Sequence, residues 1–214
     1  MTLHIFGPAF STLTRSVRLY CEEKGLAYTH GLVLDGVQVQ LRSPEHLRLH
    51  PFGKVPVLLD GEARVFETTS ICRYLDAAFP DTSLRPSEPL LRAEVDQWSG
   101  ALALYIDEVL VRRYLLLVAS PVPRASPTPS AIADAADTVV EIFKLLKHRI
   151  EGREFFCGAS YSMADAILTP MLDYLQQLPA GAVWFNENAQ LADYLQRMRD
   201  RPSARAVLTP PGRA

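Results

Sequence analysis

The sequence predicts two unlike parts, an α/β layer ordered βαβ, α, ββα followed by an all-helical bundle, and three observations carry that prediction. Short β-like runs alternate with helical ones up to about residue 80, a proline-rich connection spans residues 80–89, and helical periodicity prevails from residue 90 onward. With 214 residues, 48% of them hydrophobic and 21% charged, the chain has the length for one large domain or two small ones and the apolar content for a core.

The first strand is Leu3–Phe6, closed by Gly7-Pro8. Leu13, Val17, Tyr20 and Cys21 then recur at helical spacing until Gly25, a natural stop for a helix. Residues 28–34 form a second β-like run ending at Asp35-Gly36, which completes a βαβ unit and predicts a parallel partner for the first strand. Residues 41–49 read as a weak helix. The runs 55–59 and 63–66 flank Asp60-Gly61, a strong hairpin signal. Thr68 is expected to cap a helix carrying Ile71, Cys72, Leu75 and Phe79 on one side and ending at Pro80. This order is that of a thioredoxin-like layer.

Arg85-Pro86-Ser87-Glu88-Pro89 is too stiff for a free tether, so the expected division is 1–80 for the α/β domain, 81–89 for the linker and 90–214 for the helical domain. Within the latter, helices are expected at 90–118, 130–151, 163–178 and about 189–198, with the prolines of residues 121–129 separating the first two. Ser162-Met163-Ala164-Asp165 reads as a capping box with Asp in the place of Glu or Gln, principally a folding signal.

Charge and cysteines exclude several functions. A net charge of −2 supplies no field for nucleic acid or an anionic membrane surface. The apolar run at residues 114–118 is far short of a membrane span, and residues 1–10 lack the pattern of a secretory leader, so a cytoplasmic protein is expected. Cys21, Cys72 and Cys157 stand in no metal-binding or disulfide pattern and are expected to be core residues, with no metal site.

Three segments of the α/β part carry side chains suited to a small anionic peptide. In Pro8-Ala9-Phe10-Ser11-Thr12, Ser11 stands at a helix start. Taken alone it reads first as an N-cap; in the same position a hydroxyl could also donate to a thiolate beside unpaired N–H groups. In His50-Pro51-Phe52-Gly53-Lys54-Val55-Pro56, the proline marks an edge, a strand start or a cis bond, and a cis bond would turn the backbone of Val55 outward to pair with a bound peptide. In Glu67-Thr68-Thr69-Ser70, a carboxylate and a hydroxyl at a helix mouth would suit a free amino-acid end, although such a start is usually no more than a good cap.

All three segments, in this order and spacing and followed by SMAD, resemble the cytosolic glutathione transferases over nearly the whole chain. Ser11-Thr12-Leu13-Thr14-Arg15 is similar to the serine-type motif of the phi and related bacterial classes, HPFGKVP to the cis-proline stretch, FETTSICRYL to the γ-glutamyl site and SMADA to the capping motif of a helical-domain helix. The resemblance implies glutathione as co-substrate, with Ser11 activating its thiol, Val55 pairing with the cysteinyl backbone, Glu67 and Thr68 holding the γ-glutamyl end, and Lys54 meeting the glycyl carboxylate. Where phi members carry a histidine ahead of the cis-proline stretch this chain has Leu41, which puts Arg42 forward as the substitute carboxylate ligand. The implied electrophile pocket is small and hydrophobic, lined by Pro8 and Phe10 and by apolar or aromatic residues of the 90–118 helix such as Tyr105 and Tyr114, though helical aromatics are more often core. His46 and His50 are expected at the surface. The resemblance also implies a homodimer, with Phe52 either a key into the second subunit or packed within its own loop.

Three other readings stay open. A thiol–disulfide enzyme would need a cysteine at position 11, which is serine, while Cys21 lies deep in the helix. A non-catalytic binding or regulatory relative has no need of Ser11, Glu67, Thr68 and Lys54 together. An isomerase similar to the zeta class would carry a Ser-Ser-Cys run, which is absent.

Overall fold

Leu3, Ile5 and Phe6 bury their side chains almost completely, which places β1 (Leu3–Phe6) at the interior of a four-stranded sheet. The structure, a computed structural model, describes residues 3–120 and 125–208. In the sheet order β2-β1-β5-β6, β1 pairs in parallel with β2 (Tyr28–Gly31), and antiparallel with β5 (Val57–Asp60), which turns through Gly61-Glu62 into antiparallel β6 (Ala63–Phe66). The parallel pair requires a crossover, supplied by α1 (Thr12–Glu23). The α/β layer and helical bundle expected from the sequence are both present.

Several expected boundaries move. The run 28–34 breaks after Gly31: β3 (Val33–Leu34) leaves the sheet and pairs with β4 (Val37–Gln38) across Asp35-Gly36, a two-residue turn with φ of 50° and 79°. The helix expected at 41–49 shortens to α2 (Pro44–Leu49), because Arg42 adopts φ 66° and Ser43 takes the cap by accepting from the His46 N–H. The strand expected at 55–59 starts at Val57, since Pro56 has no N–H for the ladder. Thr68 opens α3 (Thr68–Ala78) as its first residue rather than capping it.

Beyond a 3₁₀ turn at Pro80–Thr82, α4 (Pro89–Ala101) runs on through π-helical turns at Leu102–Ile106 and Glu108–Leu115 into α5 (Leu116–Val118). The proline-rich break expected at 121–129 falls partly on residues 121–124, outside the described residues. Pro129 itself opens α6 (Pro129–Ile150), at a first-turn position where its missing N–H costs nothing. The remaining helices are α7 (Met163–Gln176), α8 (Pro179–Glu187), α9 (Ala189–Arg199) and α10 (Pro202–Leu208). The sequence reading missed α8 and α10, both short and both opened by proline.

The two parts share an apolar core. α1 packs against β1 and α3 of its own layer and against α7 and α10 of the helical part, so Thr14, Arg15, Ser16 and Val17 are all buried. α7 is apolar nearly all round and forms the centre of the bundle. At its start Asp165, fully buried, accepts from the backbone N–H of Ser162 (2.9 Å) and Phe156 (2.7 Å) and from the hydroxyls of Ser162 (3.0 Å) and Tyr194 (2.9 Å). The connection between the parts is stapled by Lys24, which donates to Asp76 and to the carbonyls of Phe79 and Thr82 at 2.8–3.1 Å.

Candidate active site at the seam

The β1–α1 turn sets the first wall. Gly7 is held so close to the helix that a Cβ there would lie 2.4 Å from Thr14 Oγ1, which only glycine avoids. The chain then turns through Pro8, whose carbonyl accepts from the Ser11 N–H at 3.0 Å, and Ser11 caps α1 by accepting from the Thr14 N–H at 3.4 Å. Thr12 and Thr14 are buried, so Ser11, half-buried, is the hydroxyl of this turn with surface to offer. Because its oxygen accepts inward, its own O–H is left to donate. Pro8 is half-buried and Phe10 exposed.

The helical part clamps this turn. Tyr174 of α7 donates to the Phe10 carbonyl at 2.7 Å, Arg15 donates to the Ala9 carbonyl at 3.1 Å, and the Arg15 guanidinium lies 4.4 Å from the Tyr174 ring centre and 3.7 Å from Asp173. Arg15 appears in the sequence only as the end of the serine-type motif, and Asp173 and Tyr174 carry no sequence signal, because their partnership with Arg15 is formed by distant segments.

The second wall is the loop between α2 and β5. The Val55–Pro56 bond is cis, Val55 is half-buried, and Lys54 is exposed. Gly53 takes φ 58° and sits against the Arg42 stem, 3.3 Å from a built Cβ position to Arg42 Cγ, so Arg42 and the Lys54 loop are neighbours. Both histidines expected at the surface are buried, His46 at 0% and His50 at 2% exposure. His46, in the first turn of α2, turns inward against Phe6 of the central strand β1 (5.1 Å between ring centres), and His50, at the end of α2, against Phe66 of β6 (4.6 Å). His50 Nδ1 accepts from the Phe52 N–H at 3.2 Å, while Phe52 itself is 73% exposed.

The mouth of α3 forms the third wall. Glu67 adopts φ 68°, rare for a residue with a side chain, and no side chain caps the helix behind it. Among the described residues the Thr68 hydroxyl is buried without a partner. Glu67 projects to solvent, 4.0 Å from His50 Nε2. Burial holds the His50 imidazole below its ordinary range, opposed by Glu67 and reinforced by His46 and Lys54.

Across the seam, the π-helical turns put residues five apart in register, pairing Asp107 with Arg112 (2.8 Å) and Glu108 with Arg113 (2.9 Å). Burial pushes the Asp107 carboxyl up, against the opposing pull of Arg112 and, more weakly, of Lys54. Tyr105 is exposed there, whereas Tyr114 is core against Trp184 at 4.9 Å. The three cysteines are buried as expected, the Cys21 thiol pushed up to about 12 and the Cys157 thiol to about 11 by burial, with Cys72 raised by the same cause, so none is poised as a thiolate. The arrangement therefore offers a hydroxyl at one helix mouth, a half-buried Val55 ahead of a cis proline, two exposed cations and a carboxylate beside an open helix start. These groups suit the two charged ends and the thiol of a small peptide.

The family model described as the glutathione S-transferase N-terminal domain matches residues 10–78, and that described as the C-terminal domain matches residues 129–197. Glutathione S-transferase F10 of Arabidopsis thaliana is 28% identical over 179 residues, covering 82% of this chain and 81% of the relative. A probable glutathione S-transferase of Oryza sativa subsp. japonica is 26% identical over 215 residues, covering 97% of each. Among solved structures, poplar glutathione transferase F1 superposes with a TM-score of 0.83 at 24% identity, covering 97% of both chains. A theta class glutathione S-transferase of Xanthomonas axonopodis pv. citri with glutathione bound gives 0.78 at 25% identity over 98% of both.

Proposed function

We propose that this chain, which belongs to the cytosolic glutathione transferase superfamily and is phi-like, uses Ser11 to stabilise the glutathione thiolate for attack on small hydrophobic electrophiles. The observation that carries the reading is the hydrogen bonding of Ser11, whose oxygen accepts from the Thr14 N–H and whose proton is free for an anion at the start of α1. A thiol of pKa ~8.5 is only a few per cent ionised at neutral pH, and lowering it by about two units takes roughly 2.7 kcal/mol. One hydrogen bond to an anion supplies about 1.5–3 kcal/mol, and the helix N-terminus adds to it. Ser11 does not itself ionise; the thiol proton passes to bulk water as glutathione binds, the thiolate forms the carbon–sulfur bond, and the leaving group departs with the electron pair of the bond it gives up.

Around the thiol, Val55 pairs with the cysteinyl backbone, Lys54 and Arg42 meet the glycyl carboxylate, and Glu67 and Thr68 take the γ-glutamyl end. The unpartnered Thr68 hydroxyl supports the last assignment, since a buried hydroxyl without a protein partner is open to a ligand. Pro8 and Phe10 line the electrophile side. The proposed division keeps 1–80 as the glutathione domain, 81–89 as linker and 90–214 as the helical domain. A homodimer with exposed Phe52 as its key, working in the cytoplasm, completes the reading. Among the described residues no helix is long and apolar enough to cross a membrane.

The test is retention on immobilised glutathione followed by conjugation to a generic aryl halide, for native protein and Ser11→Ala. Native turnover with a strong loss in the variant is expected. Full turnover by Ser11→Ala would overturn the activator assignment, and retention without any turnover would favour a binding protein.

A further inference from the structure

We infer that His46 is a positioning residue that aims the glutathione-binding edge of the α/β part without touching the ligand, an inference that rests on the glutathione reading above. The ring is fully buried at the first turn of α2 and uses both nitrogens. Nδ1 lies 2.9 Å from the Arg42 backbone nitrogen, which can only donate, so Nδ1 carries the lone pair. The proton therefore sits on Nε2, which donates to the Lys54 carbonyl at 2.9 Å.

Each bond fixes one part of the site. The first holds the Arg42 backbone at φ 66°, with the Arg42 stem against Gly53, and so sets where this cation stands relative to Lys54. The second grips the peptide joining Lys54 to Val55. In a trans peptide the C=O and N–H point opposite ways, so pinning the Lys54 carbonyl toward the buried ring turns the Val55 N–H away from it, toward the cleft. One neutral imidazole thus couples two carboxylate ligands to the backbone donor that meets the cysteinyl carbonyl. Phe6 of β1, packed on the ring, ties this clip to the centre of the sheet.

The experiment compares His46→Phe, which keeps an aromatic ring and loses both bonds, with His46→Gln, whose amide nitrogen can replace Nε2, and His46→Asn, whose amide oxygen can replace Nδ1. Steady-state kinetics with an aryl halide are measured against glutathione and against γ-glutamylcysteine, which lacks the glycyl carboxylate. For His46→Phe the KM for glutathione should rise roughly tenfold, as for loss of one or two aligned hydrogen bonds, while kcat at saturating glutathione and its pH profile stay within about twofold because Ser11 is untouched. His46→Gln should recover most of the loss and His46→Asn little, and the rise for γ-glutamylcysteine should be smaller than for glutathione. An unchanged glutathione KM in a folded His46→Phe overturns the inference; should that variant not fold, equal KM values for His46→Gln and His46→Asn overturn it. Failure of the native protein to bind or turn over glutathione would instead overturn the underlying reading, whatever the variants do.

Discussion

Two helix starts in this molecule look alike in sequence and differ in structure. Ser162-Met163-Ala164-Asp165 and Glu67-Thr68-Thr69-Ser70 both read as capped helix mouths. At α7 every donor around Asp165 is satisfied and the group is sealed in the core. At α3 Glu67 sits at φ 68°, and among the described residues no side chain closes the mouth and the Thr68 hydroxyl is buried without a partner. A mouth whose polar groups are all used builds the fold. One left unsatisfied keeps its hydrogen-bonding capacity for something else, at a cost in local stability.

The largest expected effect breaks the closed mouth. Asp165→Ala would strand the N–H groups of Ser162 and Phe156 and the Tyr194 hydroxyl in the core, costing roughly 3–5 kcal/mol, seen as a large fall in the unfolding midpoint or as loss of soluble protein. Next comes Ser11→Ala, which should lower kcat/KM roughly ten- to hundredfold, the kinetic equivalent of a bond worth about 1.5–3 kcal/mol. Its unfolding midpoint should fall only slightly, because the cap it removes is a long one at 3.4 Å.

Thr68→Val distinguishes an open α3 mouth from a closed one most directly. It removes a hydroxyl without a partner among the described residues, so stability should hold or rise while the KM for glutathione increases about tenfold. A drop in stability without a change in KM would mean that α3 is a closed mouth like α7. The smallest effect concerns His50 beside Glu67. Its folded value lies below the ordinary 6.5, so the neutral form is favoured on folding. Its contribution to stability is complete above about pH 6.5 and is lost as pH falls from there through the folded value. The unfolding midpoint should therefore decline from about pH 7 to about pH 5, and less steeply in His50→Asn. His4 and His30, lowered chiefly by burial as well, account for the remainder.

Legibility followed the range of the signal. The βαβ, α, ββα order, the Asp60-Gly61 turn and the SMAD box were readable because each is a pattern within a few residues. The break at Leu32 was not, since residues 28–34 are continuously β-like and only the pairing of β3 with β4 removes half of the run from the sheet. The histidines were misplaced for a related reason. A histidine on a short polar helix reads as surface, and what buries His46 and His50 is Phe6 and Phe66, distant in the chain. Of the candidate site, Ser11, Lys54, Val55, Glu67 and Thr68 were visible as residue types at spacings, whereas Asp173, Tyr174 and Asp107 were not.

By itself the sequence determined the two-part architecture, the near-neutral surface and the residues from which a glutathione site can be drawn, because periodicity, turn chemistry and charge are local properties of the chain. Only the tertiary structure decided which polar groups were left without partners and which ring held two loops together. Whether a hydroxyl is satisfied or a histidine buried depends on what the rest of the chain brings against it, and no window of sequence contains that information.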